Sequence, residues 1–182
     1  MSIFQIGWYL IYTRSRHEKK VWSRLADKQI ECLLPMRKTF KKLHDRCKYV
    51  DEPLFPSYIF VRLEDIKSYY GGMDTEGVLS YVKCGKHAVR VNDSVINNIR
   101  LIADKVEDVE VSRDYFQPGH RLVISHGALT GVDGEVVTYK NKQQLLIRVQ
   151  LLQRSLIVTL PEEAVLSREE SSCYSCVTND RL

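Results

Sequence analysis

The segment Tyr58-Ile59-Phe60-Val61-Arg62-Leu63 constrains the fold more than any other six residues of the chain. Alternate side chains of a strand point to opposite faces. Ile59, Val61 and Leu63 then line one face, while Tyr58 and Phe60 share the other with Arg62. The first set is an ordinary core face. The second puts two aromatic rings where a one-sided sheet would meet water, so something has to cover them. With 182 residues, 44% of them hydrophobic, the chain can bury one sizeable core, or one core and a small second module.

Around this strand the pattern is mixed. GWYLIYT (7–13) reads as a strand, and a helix is expected from about Ser15, as N-cap, to about Lys28. Val21, Trp22 and Leu25 form its apolar face, and Arg16, Lys20 and Arg24 recur every four residues as a basic stripe. IECLLP (30–35) reads as a strand, and MRKTFKKLHDRCKYV (36–50) as a basic hairpin. A short helix is expected over 65–74, stopping near Gly71-Gly72, and strands 78–83 and 87–91 flank a turn at Cys84-Gly85-Lys86. Asn92 or Asp93 caps a helix with apolar positions Val95, Ile96, Ile99, Ile102, Ala103 and Val106. Strands and helices alternating irregularly, with two hairpins, predict an α+β sandwich.

Residues 107–115, EDVEVSRDY, carry charge without a helical stripe and read as a linker. Beyond them come short strands at 121–125, 135–139, 145–152 and 155–160, jointed by Gly119, Gly127, Gly131 and Gly134. Short, glycine-punctuated strands predict a small β-barrel.

Charge is unevenly spread. Residues 1–106 hold 19 Lys and Arg against 12 Asp and Glu, a balance of +7, whereas residues 107–182 hold 8 against 11, a balance of −3. Residues 14–48 alone hold 12 basic against 4 acidic side chains, or +8, which points to a polyanion partner. No apolar run nears the roughly 18 residues of a membrane span, and the start of the chain lacks a secretory signal, so a cytoplasmic protein is expected. Five cysteines at irregular spacing fit reduced thiols, and the lone Cys173-x-x-Cys176 reads as a tail feature. No metal and no cofactor is expected, because there is no phosphate loop, nucleophile motif or zinc-spaced His/Cys set.

Four stretches, taken together and in this order, resemble the NusG family of transcription elongation factors. They are WYLIY, EPLFPSYIFV, GVLSYV and FQPGHRLVISHGALTGVDGEVV. The F-P-x-Y-x-F segment and the P-G…G-x-L-x-G-x-x-G run typical of a KOW module carry most of the resemblance. It implies an NGN-type α/β sandwich over 1–106, a linker over 107–115, an SH3-like KOW barrel over 116–168 and a disordered tail over 169–182. The wording around Trp8 and Phe55 sits nearer the specialised, RfaH-like paralogues than the housekeeping factor. Ser57 stands where the family usually has glycine, and a backbone that does not need glycine is expected there.

The resemblance also implies roles. Tyr12, Tyr58 and Phe60 match residues that contact the clamp helices of RNA polymerase, which would answer what covers the rings. Arg14, Arg16, His17 and Lys20 match the region facing the non-template DNA strand of the transcription bubble, and the hairpin residues Arg37, Lys38, Lys41, Lys42, Arg46 and Lys48 extend that field. Leu152 and Arg154 align with the barrel loop that contacts a small-subunit ribosomal protein or Rho. The function the resemblance implies is antitermination without chemistry, for a long polysaccharide-synthesis operon, and a permanent barrel is expected. A ribosome- or RNA-associated KOW protein is the alternative, and an enzyme is the more distant one.

Overall fold

The computed structural model describes residues 5–42, 47–105, 109–112, 120–124, 129–140, 142–149, 152–159 and 166–168. The N-terminal part runs β1 (Gly7–Thr13), α1 (Glu18–Asp27), β2 (Cys32–Leu33), β3 (Met36–Lys42), β4 (Cys47–Pro53), β5 (Tyr58–Leu63), α2 (Ile66–Met73), β6 (Val78–Tyr81), β7 (Lys83–Cys84), β8 (His87–Ala88), β9 (Arg90–Val91) and α3 (Asp93–Lys105). The C-terminal part runs β10 (Val109–Ser112), β11 (His120–Ile124), β12 (Asp133–Tyr139), β13 (Lys142–Val149), β14 (Arg154–Thr159) and β15 (Leu166–Arg168).

A five-stranded antiparallel sheet in the order β2-β5-β1-β6, with β9 also on β1, forms the N-terminal scaffold. The β1–β5 register places Leu10 opposite Phe60, Ile11 opposite Ile59 and Tyr12 opposite Tyr58. Directly opposed residues share a face. Tyr9, Ile11, Ile59, Val61 and Leu63 therefore meet Val21 and Leu25 of α1 in one buried cluster, with Tyr69 and Met73 of α2 packed against it. Trp8, Leu10 and Phe60 join Ile96, Ile99 and Ile102 of α3 in another. Both faces are covered.

Several local expectations are corrected. Helix α1 starts at Glu18 with His17 as its N-cap, not at Ser15, because Arg16 sits at φ 62° and a left-handed residue cannot continue a helix backwards. Trp22 is not on the buried face: Val21 and Leu25 are fully buried, but Trp22 keeps 44% exposure. It lies about 100° round the helix from Val21, on the flank. Helix α2 runs through Gly71-Gly72 to Met73, and a Cβ on Gly72 would collide with the Tyr81 hydroxyl. The turn at Gly85 stands as expected, with φ 62° between β7 and β8.

The C-terminal sheet has the order β10-β14-β13-β12-β11-β15. Within the segment expected as linker, residues 109–112 form β10, which ladders on β14 from Val109↔Val158 to Ser112↔Ser155. Val109 and Val111 supply the apolar period of two that the charges around them obscure. Gly134 is needed where β12 meets β13, since a Cβ there would lie 2.9 Å from the Leu146 carbonyl oxygen. The sheet is not isolated from the first one. β13 packs on α3, and Leu145, Ile147, Leu156 and Val158 belong to the same buried cluster as Trp8, Leu10 and Phe60. The tail over 169–182, with Cys173 and Cys176, lies outside the described residues.

Candidate functional site

Two of the three expected clamp-facing rings lie at an accessible rim. Tyr12 is 40% exposed and Tyr58 half-buried, and their rings pair at 5.2 Å and 48°. Phe60, next along the same face, is fully buried and meets Phe55 edge-on at 5.8 Å. Exposure falls from Tyr12 to Phe60 because α3 and the C-terminal sheet cover the inner part of this face. In this arrangement Phe60 is core.

The expected barrel loop lands on the same rim. The Arg154 guanidinium carbon stands 5.9 Å from the centroid of the Tyr58 ring, within reach of a cation–π contact. Leu152 is half-buried against the shared cluster. Two sets of residues drawn from opposite ends of the chain thus form one surface. Away from the rim, toward the Trp8 end of β1, the two modules are joined through Asn98, only 3% exposed on α3. The Asn98 amide donates to both the backbone oxygen and Oδ1 of Asp133, each at 2.8 Å, and accepts from the Asp133 amide at 3.4 Å. Arg121 pairs with the other carboxylate oxygen of Asp133 at 3.3 Å.

Ser57 sets up the Tyr58 end. Its φ of 69° is left-handed, so the backbone there is of the kind that favours glycine, contrary to the expectation. Such a conformation costs a non-glycine residue about 1–2 kcal/mol. Glu18, 6% exposed in the first turn of α1, accepts a hydrogen bond from the Ser57 amide at 2.8 Å, and the Ser57 carbonyl accepts from Thr13 at 2.9 Å. Sequence reading missed Glu18. The available signal was a carboxylate in the first helical turn amid a run of cations.

Arg14, Arg16 and Lys20 are exposed and His17 half-buried, all at the loop and first turn of α1. Among the described residues no ion pair engages Arg14, Arg16 or Lys20, and His17 Nδ1–H donates to the Ser15 carbonyl at 3.0 Å. The expected basic stripe stops short: Arg24 is held by Glu76 through a 2.6 Å ion pair and a 2.7 Å bond to its carbonyl. In the hairpin register Arg37 stands opposite Glu52 and Lys38 opposite Asp51, whereas Lys41 stands opposite Lys48. Arg46 lies outside the described residues, and so do the side chains of Lys41 and Lys42.

Among the described residues no group of three or more His, Cys, Asp or Glu could hold a metal, and no helix is long and apolar enough to cross a membrane. Burial, and secondarily the neighbouring Glu31 charge, push the Cys32 thiol up to about 11, so it is not a nucleophile at neutral pH.

Comparison with known proteins agrees with this architecture. The family model described as "NusG: Transcription termination factor nusG" matches residues 7–100. The chain is 26% identical over 176 residues to the transcription termination/antitermination protein NusG of Lactococcus lactis subsp. lactis (strain IL1403), covering 86% of this chain and 90% of that one. A solved structure described as "Domain interaction in Thermotoga maritima NusG" aligns with a TM-score of 0.52 at 20% identity, covering 91% of this chain and 98% of the other. The paired sheets, the aromatic rim on β1 and β5, and the matched span lead to one conclusion: this chain belongs to the NusG family of transcription termination and antitermination factors.

Proposed function

We propose that the chain binds the clamp helices of RNA polymerase through the Tyr12–Tyr58 rim, with Phe60 behind it. The C-terminal module, docked on that rim, would then hold the protein in a closed form. The observation that carries this reading is the meeting of Arg154 and Leu152 with Tyr58 on one surface. An aromatic side chain buries about 150–250 Å², or roughly 4–6 kcal/mol gross at ~25 cal/mol per Å². Association costs about 4–15 kcal/mol, so two rim rings suffice only with help. Release of the module would add Phe60 and free Leu152 and Arg154 for a second partner, a small-subunit ribosomal protein or Rho. Polymerase binding and partner recruitment would then be coupled.

On the same reading Arg14, Arg16, His17 and Lys20 face the non-template strand, with phosphate contact ahead of base readout. The role is suppression of pausing or termination in the RfaH-like manner, serving a long polysaccharide-synthesis operon. The test is comigration of the full chain with core polymerase or with ribosomal subunits, repeated with Tyr12→Ala and Tyr58→Ala. Loss of polymerase comigration at unchanged thermal stability supports the reading. Comigration with ribosomal subunits alone would replace it with the RNA-associated alternative.

A further inference from the structure

We propose that the groove between α1, the base of the β3–β4 hairpin and the C-terminal end of α3 binds one unpaired base, with its flanking phosphate, of single-stranded DNA. The groove is open and has a volume of about 740 Å³. Trp22 lines it from α1 and keeps 44% exposure. Among the described residues Trp22 joins neither a buried cluster nor a ring pair. Leu34 and Met36 supply an apolar floor beside it. A large ring left on the surface, next to apolar walls, is a stacking platform, and every base has a π-face to offer it.

The charged walls narrow the ligand. Lys19, Arg37 and Lys38 bring three cations, and Lys19 Nζ also donates to the Asp51 carbonyl at 3.2 Å. Arg37 Nε is shut from solvent without a hydrogen-bond partner among the described residues, a state that an anion drawing the guanidinium outward would relieve. Asp51 and Asp104 add two carboxylates. Carboxylates accept from exocyclic amino groups, so the set suits an amino-bearing base such as cytosine over thymine. A purely acidic peptide would match the cations, but it would meet Asp51 and Asp104 as like charges and leave Trp22 unstacked.

Continuity selects the source. Lys19 of the groove adjoins Lys20 of the surface proposed to face DNA, and the hairpin continues beyond to exposed Lys48 and to Tyr49, 68% exposed. In this respect the groove rests on the DNA-facing part of the proposed function, while its stacking site is independent of Arg14, Arg16 and His17.

The test uses the full chain. Trp8 is 4% exposed, so a change in tryptophan emission on adding short oligodeoxycytidine reports Trp22. Quenching is expected, stronger than with oligodeoxythymidine. Anisotropy of a labelled oligodeoxycytidine should show Trp22→Ala weakening binding by about 5- to 150-fold, the range of one base–aromatic stack. Arg37→Gln with Lys38→Gln should lower the salt slope by about 0.7 for each phosphate no longer neutralised. Arg16→Gln with Lys20→Gln is the separating control. Quenching that survives it while the salt slope on an elongation complex is unchanged would sink the α1 surface and leave the groove standing. An unquenched Trp22 with a normal response of that control would sink the groove alone. Equal quenching by polyglutamate, or tighter binding of oligoribocytidine, would overturn the assignment to DNA.

Discussion

The two faces of the N-terminal sheet are both buried, but by different means. The face of Ile11, Ile59 and Val61 is closed by α1 and α2, elements joined to it by short connections, around an apolar cluster whose margin carries the Glu18–Ser57, Arg24–Glu76 and Lys28–Gly71 contacts. The face of Leu10 and Phe60 is closed by α3 and then by a second module, which shares its apolar cluster and adds polar contacts, the Asn98–Asp133 bonds toward the Trp8 end and the Arg154–Tyr58 contact at the other. Apolar burial is non-directional and scales with the area removed from water. A border of a few polar contacts can be exchanged for water at modest net cost. On the proposed reading one face stays core and the other has a cover that can come off.

Opposite responses at Leu25 and Asn98 would sharpen this contrast most. Leu25→Ala empties the permanent face and should cost about 2–5 kcal/mol in urea unfolding, with no gain in polymerase binding by the folded fraction. Asn98→Ala should cost the docked state about 0.5–1.5 kcal/mol for each hydrogen bond lost, since the Asp133 groups it leaves are only half-buried. Its signature is different: faster amide exchange at β13 and α3, and tighter polymerase binding. If Asn98→Ala only lowers global stability, as Leu25→Ala does, the two faces are equivalent and the closed-form reading fails.

A smaller effect is expected at Ser57. Glycine there relieves about 1–2 kcal/mol of left-handed strain and gives back roughly 0.5–1 kcal/mol in unfolded-chain entropy. The net gain of about 0.5–1 kcal/mol should raise Tm by ~2 °C. A fall in Tm would mean that the Glu18 contact depends on the serine itself.

The smallest effect concerns Glu31, which receives Arg100 of α3 at 2.7 Å and Arg62 of β5 at 3.2 Å. Burial pushes its pKa upward, but the hydrogen bonds and charges of Arg100 and Arg62 outweigh that, and the net shift is down from 4.5. A carboxylate lowered on folding stabilises above its unfolded pKa and loses that contribution as pH falls through the folded one. Stability should therefore drop slightly below about pH 4.5, and Glu31→Gln should flatten that limb of a pH–Tm series. An unaltered limb would place the acid sensitivity elsewhere.

Much of this was legible from local pattern. Strand β5 and its two-faced parity, the helix at α3, the Gly85 turn and the C-terminal strands all follow from short-range periodicity and backbone preference. Three things were not. Val109 and Val111 looked like linker because flanking charge masks a four-residue alternation that stabilises only when β14 is alongside. Trp22 counted as core because helical spacing identifies a stripe but not which flank a neighbouring hairpin leaves open. Glu18 carried no motif, since its partner is a backbone amide 39 residues away.

By itself, then, the sequence determined which residues alternate, where helices run, the basic balance of residues 14–48, and the family, because each of these is written in nearest-neighbour spacing. Only the tertiary structure decided that Phe60 is core while Tyr12 and Tyr58 stay at the rim, that Ser57 takes a left-handed backbone under a buried carboxylate, and that Arg154 reaches Tyr58. Those outcomes depend on which distant surfaces meet: residue 58 lies on β5 and residue 154 on β14, and nothing local to either brings them together.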